Sequence, residues 1–329
     1  VKYVIITLRA DNKGEGGIFS LYTLVRRKAK WLIIPAVIGG CTLLADGIIT
    51  PPISVSSAIE GLRILYPDIA TVPIVMLIIT GIFFLQQFGT DIVGKAFGPI
   101  MFIWFAMLGI LGLSQLIMHP AILNAINPTF AYQLLANHPG GFWILASVFL
   151  CTTGAEALYS DLGHCGKDNI RISWTFVKIT LLLNYFGQGA WLLTQDGTHL
   201  ESNPFYTIMP DWFIIYGIGI ATIATIIASQ ALISGSFTLI SEAVRLNIWP
   251  KVKINYPTET KGQLYVPSIN WLLWIGCLMV VMYFKESTNM EVAYGLSITL
   301  TMLMTTILLM IYLYSIGTSL WIIGVLTLV

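Results

Sequence analysis

The sequence predicts an all-α polytopic membrane protein, and three observations carry that reading. Of the 329 residues, 56% are hydrophobic and only 10% charged, against about 25% charged in a soluble domain. The mean hydropathy is +0.81. The apolar residues are gathered into runs long enough to cross a bilayer, which takes roughly 20 mostly apolar residues in a helix. A soluble protein of this composition would have too little polar surface to show to water. The net charge of +1 gives no reason to expect a nucleic-acid partner.

Runs at 31–62, 69–86, 99–118, 141–164, 172–194, 211–241, 268–284 and 290–314 predict eight whole spans, with partial spans at 1–8 and 316–329. The chain starts and stops inside apolar runs, without an initiator Met or a signal peptide. The expectation is a membrane domain, residues 1–329, truncated at both ends. The runs 31–62 and 211–241 are too long for one straight span, so they are tilted, extended beyond the membrane, or broken. The segment 9–30 is polar and Gly-rich at Gly14, Gly16 and Gly17, then amphipathic. It predicts a cytoplasmic interfacial turn and short helix.

Charge sets the orientation. If the spans alternate, Lys2, Arg9, Lys13, Arg26, Arg27, Lys28, Lys30, Lys95, Lys167, Arg171, Lys178, Arg245, Lys251, Lys253 and Lys261 fall on one side. Only Arg63 and Lys285 fall on the other, a ratio of 15 to 2. Basic residues concentrate on cytoplasmic loops, so 9–30 and 246–266 are expected inside the cell, and the chain in a cytoplasmic (inner) membrane.

Ionisable groups within spans are costly and point to function. Four carboxylates qualify: Asp46 and Glu60 in the run 31–62, and Glu156 and Asp161 in the run 141–164. Lys178 lies near a span end and can snorkel. In Cys151-Thr-Thr-Gly-Ala-Glu156, Gly154 permits the backbone to leave helical geometry and free its carbonyls. Thr153 and Glu156 would share a helix face. Hydroxyl, carboxylate and freed carbonyl oxygens together suit a hard cation, as in the broken helices of transporters. The alternative is a carboxylate buried for packing. In Asp46-Gly-Ile-Ile-Thr50-Pro-Pro-Ile-Ser54, the three polar side chains share a face, and Pro51 with Pro52 predicts a local disruption of the helix. Thr50 and Ser54 are cation-ligand candidates, or hydroxyls bonded back to a preceding carbonyl. Tyr294, followed by Gly295, reaches toward a central site or packs at a helix crossing. Asn184, Tyr185, Gly187 and Gln188 form a polar, small-residue face suited to interhelical hydrogen bonds.

Other chemistry is missing. No GxxxxGK[ST] loop encodes an ATP motor, and no TVGYG-like filter suggests a channel. No HExxH or paired-histidine motif exists, and no nucleophile–base pair points to an enzyme. Cys41, Cys151, Cys165 and Cys277 form no CxxC pair and read as small packing residues. No cofactor is expected.

The stretches Arg9–Gly17, Ala45–Leu62, Gln87–Thr90 with Phe97–Ile100, Thr153–His164 and Asn184–Gly189 resemble, in order and over nearly the whole chain, the KUP/HAK/KT potassium uptake permeases, in a bacterial form. The resemblance implies a fold of the amino acid–polyamine–cation superfamily: the leucine-transporter-type architecture of two inverted five-helix repeats. Residues 31–62 would be the third helix and 141–164 the broken sixth. The first helix would be absent, and with it half of the binding site, as would any C-terminal cytoplasmic region. The resemblance places potassium contacts at Thr50, Ser54, Thr153, Glu156 and Tyr294, and matches Glu60 to an acidic family position. Glu156, Glu60 and Asp46 are the candidates for proton coupling. It implies potassium as substrate, taken up by proton symport, in a membrane lipid setting, and a homodimer is compatible with it. A proton-coupled amino-acid permease of the same fold is the main alternative. Glu156 disfavours it, since it would repel a substrate carboxylate. A transporter-derived membrane sensor is the other alternative.

The orientation is testable in the intact protein. A cysteine introduced at Thr198 is expected to react with a membrane-impermeant thiol reagent added outside, and one at Thr258 is not. The reverse pattern would overturn the orientation.

Overall fold

The computed structural model describes residues 7, 10, 16–88, 91–138, 140–151, 153–154, 159, 166–195, 203–256, 264–321 and 323–324. Among them are eleven α-helices: α1 (Ile18–Val25), α2 (Ile33–Glu60), α3 (Thr71–Leu85), α4 (Asp91–Met118), α5 (Pro128–Asn137), α6 (Gly141–Leu150), α7 (Lys167–Leu192), α8 (Pro204–Thr207), α9 (Ile214–Arg245), α10 (Pro267–Phe284) and α11 (Ser287–Ser315). The one β feature described is an isolated antiparallel bridge between Asn255 and Tyr265.

Six helical segments are long and apolar enough to cross a membrane: 30–64, 71–88, 96–118, 214–245, 267–284 and 287–315. The chain is thus a multi-pass, all-helical membrane protein. Two of the eight expected spans differ. The run 141–164 is not one described helix: α6 stops at Leu150, and Gly154 adopts φ +99°, a left-handed conformation that only glycine reaches cheaply. The run 172–194 forms a helix of 26 residues, α7. Its Lys178, Asn184 and Gln188 keep it outside the apolar class.

The two long runs resolve as unbroken helices of 28 residues in α2 and 32 in α9. At 1.5 Å per residue they reach about 40–50 Å, beyond a hydrocarbon core of about 30 Å. The expected disruption at Pro51 and Pro52 is therefore corrected: both lie inside continuous α-helix. Two adjacent prolines remove only two ladder bonds, and neighbouring helices hold the segment on both sides.

α2 is the central strut. It packs most extensively on α11 and also on α9, α10 and α3. α4 and α7 form a second tight pair. α1 forms where a short helix was expected. Its Ile18, Phe19, Leu21 and Val25 are buried, with Ile18 and Phe19 seated over Gly39 and Gly40 of α2. The loops sort into two ends, as alternating spans require. At one end Tyr206 donates to the Ala58 carbonyl at 3.1 Å, Ser287 meets Glu60, and Arg63 pairs with Glu286 at 3.2 Å. At the other, the Tyr159 hydroxyl donates to the Ala10 carbonyl at 2.6 Å, and Ile170, Ile248 and Trp249 join the core around α1.

The α4–α7 pair depends on glycine. A Cβ on Gly187 would stand 2.4 Å from the Gly112 Cα, with no side chain able to yield. A Cβ on Gly219 of α9 would meet nothing within 4 Å. Gly187→Ala is expected to destabilise by roughly 1–3 kcal/mol through overpacking. Gly219→Ala should be neutral or stabilising by up to about 1 kcal/mol, from helix propensity alone. Thermal unfolding in detergent checks both signs.

Candidate functional site

The site is built on α2 where prolines interrupt its ladder. Pro51 and Pro52 have no N–H, so the carbonyls of Gly47 and Ile48, four residues earlier, lose their helical donors. Within a bilayer a carbonyl without a partner costs several kcal/mol. For Ile48 the replacement comes from α10: the buried Cys277 thiol lies 3.3 Å from its carbonyl oxygen. The adjacent Gly276 leaves room for the Ile48 side chain, whose Cγ2 would be 2.9 Å from a Cβ there. On the opposite flank Gly47 lies against Ser236 of α9.

Asp46 and Thr50 are one turn apart. The Thr50 hydroxyl donates to the Asp46 carboxylate at 2.6 Å, and Asp46 is buried. The two residues thus share a face, as their spacing predicts, and Thr50 does not bond back to a carbonyl. Ser54 is one turn further and half-buried.

Two contacts fix the register of α2 against the antiparallel α11. The Thr301 hydroxyl donates to Thr42 at 2.8 Å, and the Ser287 backbone N–H donates to Glu60 at 2.8 Å. Tyr294 lies midway between Ser287 and Thr301, and Pro51 lies midway between Thr42 and Glu60. Tyr294 is therefore level with the proline interruption, between Thr50 and Ser54.

The interrupted helix reaches the same level. The Leu150 side chain sits over Gly295, where a Cβ would approach its Cδ2 to 3.1 Å. The Thr153 hydroxyl donates to the Leu150 carbonyl at 2.8 Å. The Cys151 carbonyl, past the last full turn of α6, accepts from the Tyr185 hydroxyl of α7 at 3.1 Å. α7 is held to α4 by Asn184, whose amide donates to the Leu108 carbonyl at 3.2 Å. Gln188 donates to Asn184 at 2.5 Å. Asn184 and Tyr185 make the interhelical hydrogen bonds expected of the α7 polar face, while Gln188 bonds within α7.

The structure thus brings Thr50, Ser54, Thr153 and Tyr294 to one level of the bundle, on α2, α11 and the end of α6. Glu156 and Asp161 lie outside the described residues. Glu60 stands apart, at the end of α2. Its carboxylate accepts the Ser287 N–H and the Ser287 hydroxyl, the latter at 2.5 Å. It holds the first turn of α11, where a negative charge is favourable. Beside it, burial and then the Glu60 charge push the Tyr206 phenol above its ordinary pKa. Among the described residues no cluster of three or more His, Cys, Asp or Glu side chains could hold a metal. The arrangement offers hydroxyls and backbone carbonyls, hard oxygens that can take the place of a hydration shell around a monovalent cation.

Sequence reasoning missed Cys277, which it took as packing, along with the Tyr185–Cys151 bond and the Glu60–Ser287 bond. The prolines were the available signal for the first: each one marks a carbonyl that some other helix must satisfy.

The whole chain, residues 1–329, matches the family described as K+ potassium transporter, integral membrane domain. It is 66% identical over 316 residues to a probable potassium transport system protein Kup of Flavobacterium psychrophilum, covering 94% of this chain and 48% of that protein. It is 66% identical over 318 residues to a Kup protein of Cytophaga hutchinsonii, covering 95% and 48%. With one of Clostridium perfringens it shares 58% over 335 residues, covering 97% and 50%. The chain spans about half the length of these curated relatives.

The Cys277 thiol is testable by stability. Cys277→Ala leaves the Ile48 carbonyl without its donor, and is expected to cost about 1–3 kcal/mol. Cys277→Ser restores a donor and should recover most of that loss. Thermal melts in detergent compare the two; equal losses would contradict the assignment.

Proposed function

We propose that this chain, which belongs to the K+ potassium transporter family of integral membrane proteins, is the cation-binding part of a secondary transporter that takes up potassium across the cytoplasmic membrane. What supports the reading is that the register of α2 on α11 puts Tyr294 at the height of Thr50 and Ser54, with Thr153 tied to that height through Leu150 and Gly295, beside a proline interruption and a helix break. The relatives named as potassium transport proteins support the same substrate. The Gly47 carbonyl, deprived of its helical donor by Pro51, is a further oxygen at that level.

Uptake is driven by proton symport in this reading, with Glu156, Asp46 and Glu60 as the carboxylates available to carry the proton. Desolvation in a span raises a carboxyl pKa and a nearby potassium ion lowers it. A carboxylate in the site therefore changes protonation with occupancy. Symport needs both ions aboard together, so Glu156 is protonated while hydroxyls and carbonyls hold potassium, or a second carboxylate carries the proton. Asp46, which already accepts from Thr50, is the second carboxylate nearest the site. Glu60 is engaged with the N-terminus of α11 and is the more distant choice.

Uptake measurements on the full-length protein in proteoliposomes test this. Thr50→Val and Ser54→Ala each remove one ligand oxygen with little change of volume, and should raise the apparent KM for potassium or rubidium several-fold at normal expression. Glu156→Gln mimics the protonated state and should abolish proton-driven accumulation, with internal pH recorded in the same vesicles. Unchanged affinity in both hydroxyl variants would return them to structural roles. Intact coupling in the Gln variant would move the proton elsewhere. Transport of amino acids in place of rubidium would overturn the substrate.

A further inference from the structure

The connection between α1 and α2 holds four cations in five residues: Arg26, Arg27, Lys28 and Lys30. All four side chains are exposed. None takes part in an ion pair among the described residues, and no carboxylate occurs in the sequence from Gly16 to Ala45. The connection is anchored. Val25 before it and Leu32 after it are both fully buried, and turn bonds run from Lys28 N–H to the Val25 carbonyl and from Leu32 N–H to the Ala29 carbonyl.

An apolar stripe starts directly beside these charges. Trp31, Ile34 and Ile38 are 53%, 57% and 41% exposed, and Cys41 is exposed as well. Their spacing of three, four and three residues places them on one face of the helix, while Leu32, Pro35, Ala36, Gly39 and Gly40 face inward. In a membrane such a face meets acyl chains, and a tryptophan at its end sits at headgroup level. The charges thus lie where lipid phosphates lie. A soluble anion would be served by the charges alone, and the continuous stripe would have no role in binding it.

We propose that the Arg26–Lys30 connection and the Trp31–Ile34–Ile38 face form a binding site for an anionic phospholipid, its headgroup phosphate held by the four cations and one acyl chain laid along the stripe. The site is separate from the potassium site and does not rest on the transport reading. Its position against α1 and the start of α2 ties lipid occupancy to the end of the central strut.

The test uses full-length protein in a nonionic detergent, with lipid retention read by native mass spectrometry. Phosphatidylglycerol is compared with phosphatidylcholine of identical acyl chains. The wild type should retain phosphatidylglycerol several-fold better, with a preference that weakens as salt rises. Each cation near an anionic headgroup is worth about fivefold. Either R26Q/R27Q or K28Q/K30Q should therefore cut phosphatidylglycerol retention by about 25-fold while leaving phosphatidylcholine unchanged. I34A/I38A should weaken both lipids. Thermal melts establish which variants are folded, and the wild-type salt titration decides independently of any variant. Equal retention of the two lipids, a salt-independent preference, or an undiminished preference in a folded pair variant would overturn the proposal. So would displacement of phosphatidylglycerol by millimolar inorganic phosphate, which would make the cluster a soluble-anion site.

Discussion

A backbone carbonyl released inside a bilayer has no water to turn to, and the architecture of this bundle follows from how each release is answered. A helix without an internal proline releases none within its length. Among the described residues, prolines inside α2 and α4 and the end of α6 break that rule. Two of the releases are answered from a neighbouring helix: the Cys277 thiol reaches the Ile48 carbonyl, and the Tyr185 hydroxyl reaches the Cys151 carbonyl. The helices that answer are then fixed in place. α10 must lie against the proline segment of α2, and α7 against the end of α6. Gly276 leaves room there for the Ile48 side chain, and the Gly112–Gly187 crossing lets the backbones of α4 and α7 approach closely.

In the proposed reading one released carbonyl, that of Gly47, also serves the cation. Oxygen atoms without a helical donor are expensive in lipid but suit a cation that must shed its hydration shell. The interruption in α2 falls midway between the two contacts that register it on α11, so it comes level with Tyr294. Leu150 over Gly295 brings the end of α6 to the same level. Packing and the proposed ligand supply thus meet at one level. At the far end of the same helix pair, Glu60 binds the first turn of α11 and Arg63 spans Glu286 and Thr71. This gives the two helices a charged clasp well away from the proposed cation path.

Much of this was legible in the sequence, because a bilayer imposes strong rules. Length and hydropathy marked six spans that the structure contains, and charge asymmetry sorted the loops as the contacts at the two ends sort them. Gly154 signalled the helix break, since glycine permits the backbone to leave helical geometry. Asp46 and Thr50 were rightly placed on one face by their spacing. The effect of Pro51 and Pro52 was misjudged: local chemistry counts the lost donors but cannot see a thiol on a helix more than two hundred residues away. Glu60 was similarly opaque, because its partner Ser287 is remote in sequence. The run 172–194 was read as a span and forms α7, but the partners of its polar residues, such as the Leu108 carbonyl on α4, were not legible.

The central claim is that the end of α6 packs on α11 at Gly295, level with the proline segment of α2. Paired cysteines with a short bifunctional thiol reagent test it in the full-length protein, carrying serine at Cys41, Cys151, Cys165 and Cys277. The pair Leu150→Cys with Gly295→Cys is expected to cross-link as readily as Thr42→Cys with Thr301→Cys, whose native hydroxyls are 2.8 Å apart. Efficient cross-linking of the second pair and none of the first would place α6 elsewhere and remove Thr153 from the site.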